Sequence, residues 1–260
     1  MFVHARLHSI LDLLERRRRL SVREIEETFG ASPATTRRDL KALEDRGLAV
    51  RVYGGILHPS AALGETTFEA RDAVSQAEKE AIARAAAGLV PANATLYVDG
   101  GTTCLDAGRL LLSRRDIRIY TNSIPLAALA TQGGPCVVAI GGEVKAVSRA
   151  LVGDIALEWI GHLRFDMALM GASGACARDG ASATALDEAT VKRRVMTRAR
   201  HAVLLLDGSK WDVPREVRFA PWSAFRTVVS DARLPRAARA AIRRAGPQLI
   251  IAHGGKAAAA

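Results

Sequence analysis

Apolar residues along this chain keep two different rhythms, and the change between them divides it. From residue 5 to 17 they recur at helical spacing, with Leu7, Ile10, Leu11 and Leu14 on one stripe. The next segment, SVREIEETFG, offers Ser21 and Glu24 as a capping box and Gly30 as the stop of a helix over 22–29. A third helix is predicted over 33–46, with Ser32 as N-cap, Pro33 in its first turn and Gly47 beyond its last. Two short runs, 48–52 and 56–58, are able to pair across Tyr53-Gly54-Gly55. Three helices and a hairpin describe a winged helix-turn-helix over residues 1–58, a layout that reads DNA.

Residues 59–75, opening on the small and polar PSAALGETT, read as a linker, and 254–260 as a frayed tail. Between 76 and 253 the apolar residues gather in short β-rich runs at 95–99, 117–121, 137–140, 167–171, 203–207 and 227–231. Helical stretches are expected at 76–89, 105–112, 125–131 and 188–200. Strands alternating with helices predict an α/β domain with a mainly parallel sheet covered on both faces. Ligands of such sheets bind beyond the carboxyl ends of the strands.

A helical wheel of 33–46 turns Thr36, Leu40, Leu43 and Gly47 towards the core. Ala34, Thr35, Arg38 and Lys41 lie opposite, with Arg37 on a flank. Arginine makes paired hydrogen bonds to guanine or clamps a phosphate, and Thr35 suits a thymine methyl or a phosphate. The candidate DNA-contacting set is therefore Ser32, Thr35, Thr36, Arg37, Arg38 and Lys41, with Arg51, Tyr53, Gly54 and Gly55 from the wing. Thr36 enters it despite its core-side position. The plainer alternative has Arg37 and Arg38 merely solvated and paired with Asp39, Glu44 or Asp45.

Charge adds little. The 260-residue chain carries a formal +10, which favours a polyanionic partner, yet residues 1–58 hold eleven basic and eight acidic side chains. The segment 233–244 supplies part of the excess and reads as a solvated helix face. Three cysteines, Cys104, Cys136 and Cys176, lack metal-ligand spacing and are expected to be packed thiols. No apolar run reaches membrane-span length and no signal-peptide layout opens the chain, so a cytoplasmic protein is expected.

Several strand ends carry glycine and hydroxyl residues, which let backbone amides approach an anion. They are Asp99-Gly100-Gly101-Thr102-Thr103, Thr121-Asn122-Ser123 and Gly141-Gly142. Glu188 and Lys192 stand one helical turn apart, either as a surface ion pair or with the lysine on a ligand. Asp207 and Lys210 close the run LLLDGSK.

SVREI, ASPATTRRDLKALEDRG and RVYGG resemble the amino-terminal pattern of the DeoR family of bacterial transcriptional regulators, with Thr36 where the family usually has isoleucine. DGGTT, TNSIPLA, IGGEV, SRALVGDIALE, FDMALMGASG, DEATVKRR and LLLDGSK extend the resemblance over about residues 5–231. The resemblance implies a carboxyl-terminal sensor domain related to the ribose-phosphate isomerase and coenzyme A transferase folds, binding a phosphorylated sugar or related metabolite. It implies an effector site of Asp99, Gly101, Thr102, Thr103, Thr121, Asn122, Ser123, Gly141, Gly142, Gly171, Glu188, Lys192, Asp207 and Lys210. Cys104 and the loop 177–185 depart from the family pattern.

The function expected is a repressor of carbohydrate metabolism genes, with operator double-stranded DNA and a phosphorylated sugar as partners, no cofactor or metal, and a homodimer or homotetramer as the working form. The alternative is a sugar-phosphate isomerase or acyltransferase-like enzyme with an accessory DNA-binding domain. A nucleic-acid-binding protein without a small ligand is a third reading.

Overall fold

The computed structural model describes residues 3–17, 19–52, 54–57 and 66–253. It divides the chain into two units, 1–67 and 68–260. In the first, α1 (Val3–Arg17) is followed by β1 (Arg19–Ser21), α2 (Val22–Phe29), α3 (Pro33–Asp45), β2 (Val50–Val52) and β3 (Gly55–Leu57). The apolar stripe of α1 supplies Leu7, Ile10 and Leu14 to a core completed by Leu20, Ile25, Leu40, Leu43, Ala49 and Ile56.

Local chemistry sets the helix limits. Ser21 and Glu24 form the expected capping box, and Gly30 ends α2 in the left-handed conformation. Ser32 caps α3, which begins on Pro33. Its end differs slightly from expectation: α3 stops at Asp45, and Gly47 is an exposed turn residue instead of a core-facing one. Leu48 N donates to the Leu43 carbonyl and Gly47 N to that of Glu44, a Schellman closure. The strand β1 was not anticipated. It pairs with β3 through Leu20↔Ile56, giving an antiparallel sheet ordered β1-β3-β2.

The second unit begins earlier than the linker reading placed it. Phe68–Asp72 forms α4, whose Phe68 is buried, so the 59–75 linker is corrected at its carboxyl-terminal end. Residues 58–65 and the tail 254–260 lie outside the described residues. The remaining elements are α5 (Gln76–Ala87), β4 (Thr95–Val98), α6 (Thr102–Leu111), β5 (Arg118–Thr121), α7 (Ile124–Ala128), β6 (Cys136–Ala139), β7 (Glu143–Lys145) and β8 (Ala150–Val152). They continue with α8 (Asp154–His162), β9 (Phe165–Gly171), β10 (Gly174–Cys176), β11 (Gly180–Ala183), α9 (Leu186–Met196), β12 (Ala199–Leu206), β13 (Val217–Ala220), β14 (Thr227–Asp231), α10 (Arg236–Arg244) and β15 (Gln248–Ala252).

Seven strands form one parallel sheet ordered β15-β14-β12-β9-β4-β5-β6. Alternate residues feed its two faces. Tyr97, Ala168, Met170, Leu204 and Val228 join α8, α9 and α10 on one side. Leu96, Val98, Leu169, Leu205 and Val229 join α5, α6 and α7 on the other. The helix expected over 188–200 ends at Met196, because 199–206 is already strand paired with β9. Three features went unread: the β7–β8 hairpin, the small sheet β10-β11-β13 and the seventh strand β15. The arginine-rich segment does form a helix, α10, anchored by Ala238 and Ile242.

Burial of the cysteines holds for Cys104 alone; Cys136 is exposed on the edge strand β6 and Cys176 is half-buried. Among the described residues no helix is long and apolar enough to cross a membrane.

Candidate functional site

Two sites emerge, one in each unit. On α3, Ser32, Arg37, Arg38 and Lys41 are exposed and Thr35 is half-buried. Asp39 is buried and takes its hydrogen bonds from Arg6 of α1, so it does not neutralise the arginine pair. No described residue pairs with Arg37, Arg38 or Lys41. The Ser32 hydroxyl accepts from Thr35 N at 3.4 Å and lies 2.9 Å from the Thr35 hydroxyl, which fixes the start of the helix.

Three members of the sequence-derived set need correction or fall outside view. Thr36 is fully buried, as its core-side wheel position implied, and its hydroxyl has no partner among the described residues; it cannot reach a groove. Gly55 is buried in the wing sheet, where an added Cβ would stand 2.1 Å from the Leu20 carbonyl oxygen. Its role is to admit β1. Gly54 at the turn is exposed, Arg51 is half-buried, and Tyr53 lies outside the described residues.

In the second unit the chain leaves β4 for β5 on one side and later fills the other side through β9. The switch of direction lies between β4 and β9, where open α/β sheets carry their crevice. Asp99 follows β4 and Gly171 ends β9. Asp99 N donates to Leu169 O at 3.0 Å, and Gly171 N donates to Asp99 Oδ2 at 2.9 Å. Lys192, from α9, donates its Nζ to the same Asp99 oxygen and, at 3.1 Å, to the Gly171 carbonyl. Its ammonium stands 5.6 Å over the Phe219 ring.

All three charged groups here are buried: Asp99, Lys192 and Glu188. The surface-pair reading of Glu188 and Lys192 is thereby overturned, since Lys192 is bonded to Asp99, 93 positions away. Burial raises the Asp99 carboxyl above its usual range against the pull of Lys192. Burial also works against the ammonium, yet Asp99 and Glu188 together hold Lys192 above the usual lysine value.

The turn after Asp99 runs directly into α6. Gly101 precedes that helix at φ +126°, a conformation L side chains rarely adopt, and no side chain caps the helix start. Thr102 and Thr103 are largely buried in its first turn. Asn122 supports this turn by accepting from Gly100 N at 2.8 Å while donating to Leu151 O at 3.2 Å. Thr121 and Ser123 serve local structure: Thr121 Oγ1 donates to Val98 O, and Ser123 Oγ accepts from Leu126 N to cap α7. Gly142 also has a packing reason, because a Cβ there would meet the Val152 carbonyl at 2.4 Å, while Gly141 is exposed.

Asp207 and Lys210 are not bonded to the Asp99 cluster. Asp207 accepts from Ser209 N at 3.1 Å, starting a 3-10 turn. Burial lowers Lys210 below the usual lysine value, with Asp207 opposing and Arg71 and Arg215 adding to the fall. Next to it is a residue that sequence reasoning missed, Lys79 of α5. Lys79 is buried and donates to the Arg71 and Asp72 carbonyls, closing the end of α4. Its place on the Lys79–Ile82–Ala83–Ala86 stripe was the available signal.

Comparison with known proteins matches both units. Residues 6–61 match the DeoR-like helix-turn-helix domain and 74–232 the DeoR C terminal sensor domain. The chain is 31% identical to the glycerol-3-phosphate regulon repressor of Escherichia coli strain K12, over 88% of this chain and 91% of that one. It is 30% identical to the HTH-type transcriptional regulator YgbI of the same strain, over 94% and 95%. Among solved structures, ribose 5-phosphate isomerase A from Neisseria gonorrhoeae is similar at a TM-score of 0.39 and 16% identity, over 56% of this chain and 55% of that one.

Proposed function

The chain belongs to the DeoR family of transcriptional regulators, and from that premise we propose that it represses genes of sugar metabolism under control of a phosphorylated sugar. The observation that carries this reading is a charged, buried cluster at the sheet's switch point in a chain that also presents exposed cationic residues on α3. The relatives include the glycerol-3-phosphate regulon repressor of Escherichia coli strain K12, whose name carries a phosphorylated polyol, and a putative aga operon transcriptional repressor.

In this proposal Arg38, Lys41 and Thr35 face the bases and phosphates of operator DNA, with Arg37, Ser32, Arg51 and the wing turn beside them. The effector lies over the ends of β4 and β9. Its anion meets the uncapped start of α6, and Asp99, Glu188 and Lys192 line the other side. Paired half-sites call for a homodimer or a higher homo-oligomer acting in the cytoplasm. Effector binding shifts operator affinity by the difference in its affinity for two arrangements of the protein. The relatives are regulators, and no turnover of the effector is expected.

The test is a thermal-shift screen over phosphorylated sugars and polyols, followed by an operator gel shift with each compound that stabilises the protein. A stabilising sugar phosphate that changes operator affinity supports the reading. Turnover of that compound would favour the enzyme alternative instead.

A further inference from the structure

We infer that Glu188 reads hydroxyl groups on the sugar end of the effector, while the phosphate lies at the start of α6. The inference rests on the sugar-phosphate reading above and fixes which end of the ligand goes where.

Glu188 sits in the first turn of α9 and is nine-tenths buried. Its Oε1 is sealed from solvent without a hydrogen-bond partner among the described residues. The lysine one turn further on does not meet that need, because Lys192 donates to Asp99 and to the Gly171 carbonyl. A carboxylate kept in such a place calls for a donor, and no described side chain supplies one.

Charge decides which donor. Asp99, Glu188 and Lys192 bring two carboxyl groups together with one ammonium. A phosphate brought against them meets net repulsion, whereas a hydroxyl gains a charge-assisted bond to the carboxylate. The opposite chemistry lies two residues beyond Asp99. There Gly101 leads into α6 without a side-chain cap, and the first amides of the helix are available to an anion. The neighbouring helix α7 offers no such end, because Ser123 Oγ already accepts from Leu126 N at 3.3 Å. Glu188 lies close enough to Asp99 and Lys192 to act on both, so an acceptor end and a donor end stand on either side of Asp99, and a sugar phosphate has both complements.

The experiment compares inorganic phosphate, propyl phosphate, glycerol 3-phosphate, ribose 5-phosphate and fructose 1-phosphate by calorimetric titration of the full chain and of Glu188→Gln. In the wild type at least one hydroxyl-bearing phosphate is expected to bind ten-fold or more tightly than propyl phosphate. In Glu188→Gln that preference falls by at least ten-fold, while inorganic phosphate binds as well as before or better. If Glu188→Gln does not fold, Glu188→Met is titrated in its place, with the same loss of preference expected. Equal binding of propyl phosphate and every hydroxyl-bearing phosphate overturns the inference and leaves the anion site standing. So does a loss in Glu188→Gln that is equal for inorganic and sugar phosphates. No binding of any phosphate by the wild type overturns the sugar-phosphate reading and this inference with it.

Discussion

Asp39 accepts hydrogen bonds from Arg6 at 2.5 Å and 3.2 Å, and none from its chain neighbours Arg37 and Arg38. The acid at the middle of α3 is thus spent on fastening that helix to α1. Arg38 is left exposed beside Lys41. Arg38→Ala is expected to weaken specific operator binding by about 1–3 kcal/mol, roughly five- to 150-fold, without changing folding or effector binding. Lys41→Ala should lower affinity more evenly across DNA sequences and reduce the salt slope by about one. Gel-shift titrations at several salt concentrations check both, and an unchanged affinity for Arg38→Ala would remove it from the interface.

Thr36 leads to the opposite kind of prediction. Its hydroxyl is buried with no partner among the described residues, inside a core rich in leucine and isoleucine. Thr36→Val keeps the shape and removes the stranded polar group, so it should stabilise the first unit by about 1 kcal/mol. Hydrogen exchange at the Leu40 and Leu43 amides is then expected to slow by about five-fold, with operator affinity unchanged. A loss of operator binding in a folded Thr36→Val protein would restore the residue to the DNA-contacting set.

The first unit was legible because its signals are local. Ser21 with Glu24, Ser32 with Pro33, and Gly30 each act within one helical turn, so a single sequence shows them. The strand β1 was not, because Arg19–Ser21 becomes a strand only by meeting Gly55–Leu57, some 36 residues later. The same limit governed the sensor site. Its glycine turns could be read one by one, but the partner of Lys192 is Asp99, which only the parallel sheet brings to it. Thr121 and Ser123 look like ligand groups in sequence and prove to be bonded to their own turns. Lys79 was passed over because a lysine in an alanine-rich helix usually faces water, and here the α4 carbonyls take it inside.

Cysteine labelling separates buried from exposed thiols. Burial, with Asp99 nearby, pushes the Cys104 thiol far up, so it stays protonated as well as shielded. Native protein treated with iodoacetamide should label Cys136 first and Cys176 more slowly. Cys104 should react only after unfolding, and peptide mass mapping would show it. Rapid native labelling of Cys104 would mean that the crevice beside Gly171 opens to solvent.

Alkaline pH tests the lysines behind the site. Lys210 and Lys79 are both held below the usual lysine value, chiefly by burial. In the range between their folded values and the unfolded value of about 10.4, the unfolded chain binds more protons than the native one. Their contribution to stability therefore increases as pH rises through that window and is lost as pH falls back through the folded values. Lys192 is shifted upward, so its own contribution is fully present below the unfolded value and declines only at higher pH, above that window. Urea unfolding between about pH 8 and 10 should show a smaller upward component in Lys210→Met than in the wild type. Identical pH slopes would show that Lys210 is not desolvated in solution.

The Asp99–Lys192 pair supports the last prediction, since both groups are buried and each is the other's main counter-charge. Removing the lysine alone, as Lys192→Met, leaves Asp99 buried with only the Gly171 amide to stabilise its charge. The expected cost is about 3–5 kcal/mol, the range for breaking a buried pair. Adding Asp99→Asn keeps an oxygen that accepts from Gly171 N and takes away the stranded charge, so the double variant should recover much of that loss. Urea denaturation followed by tryptophan fluorescence reports on this unit, because Trp159, Trp211 and Trp222 all lie within it. Favourable coupling above about 1 kcal/mol in the double-mutant cycle is the expected outcome. Strict additivity would mean that the two charges are solvated separately, and the crevice would then lack the dry acidic wall on which hydroxyl recognition by Glu188 depends.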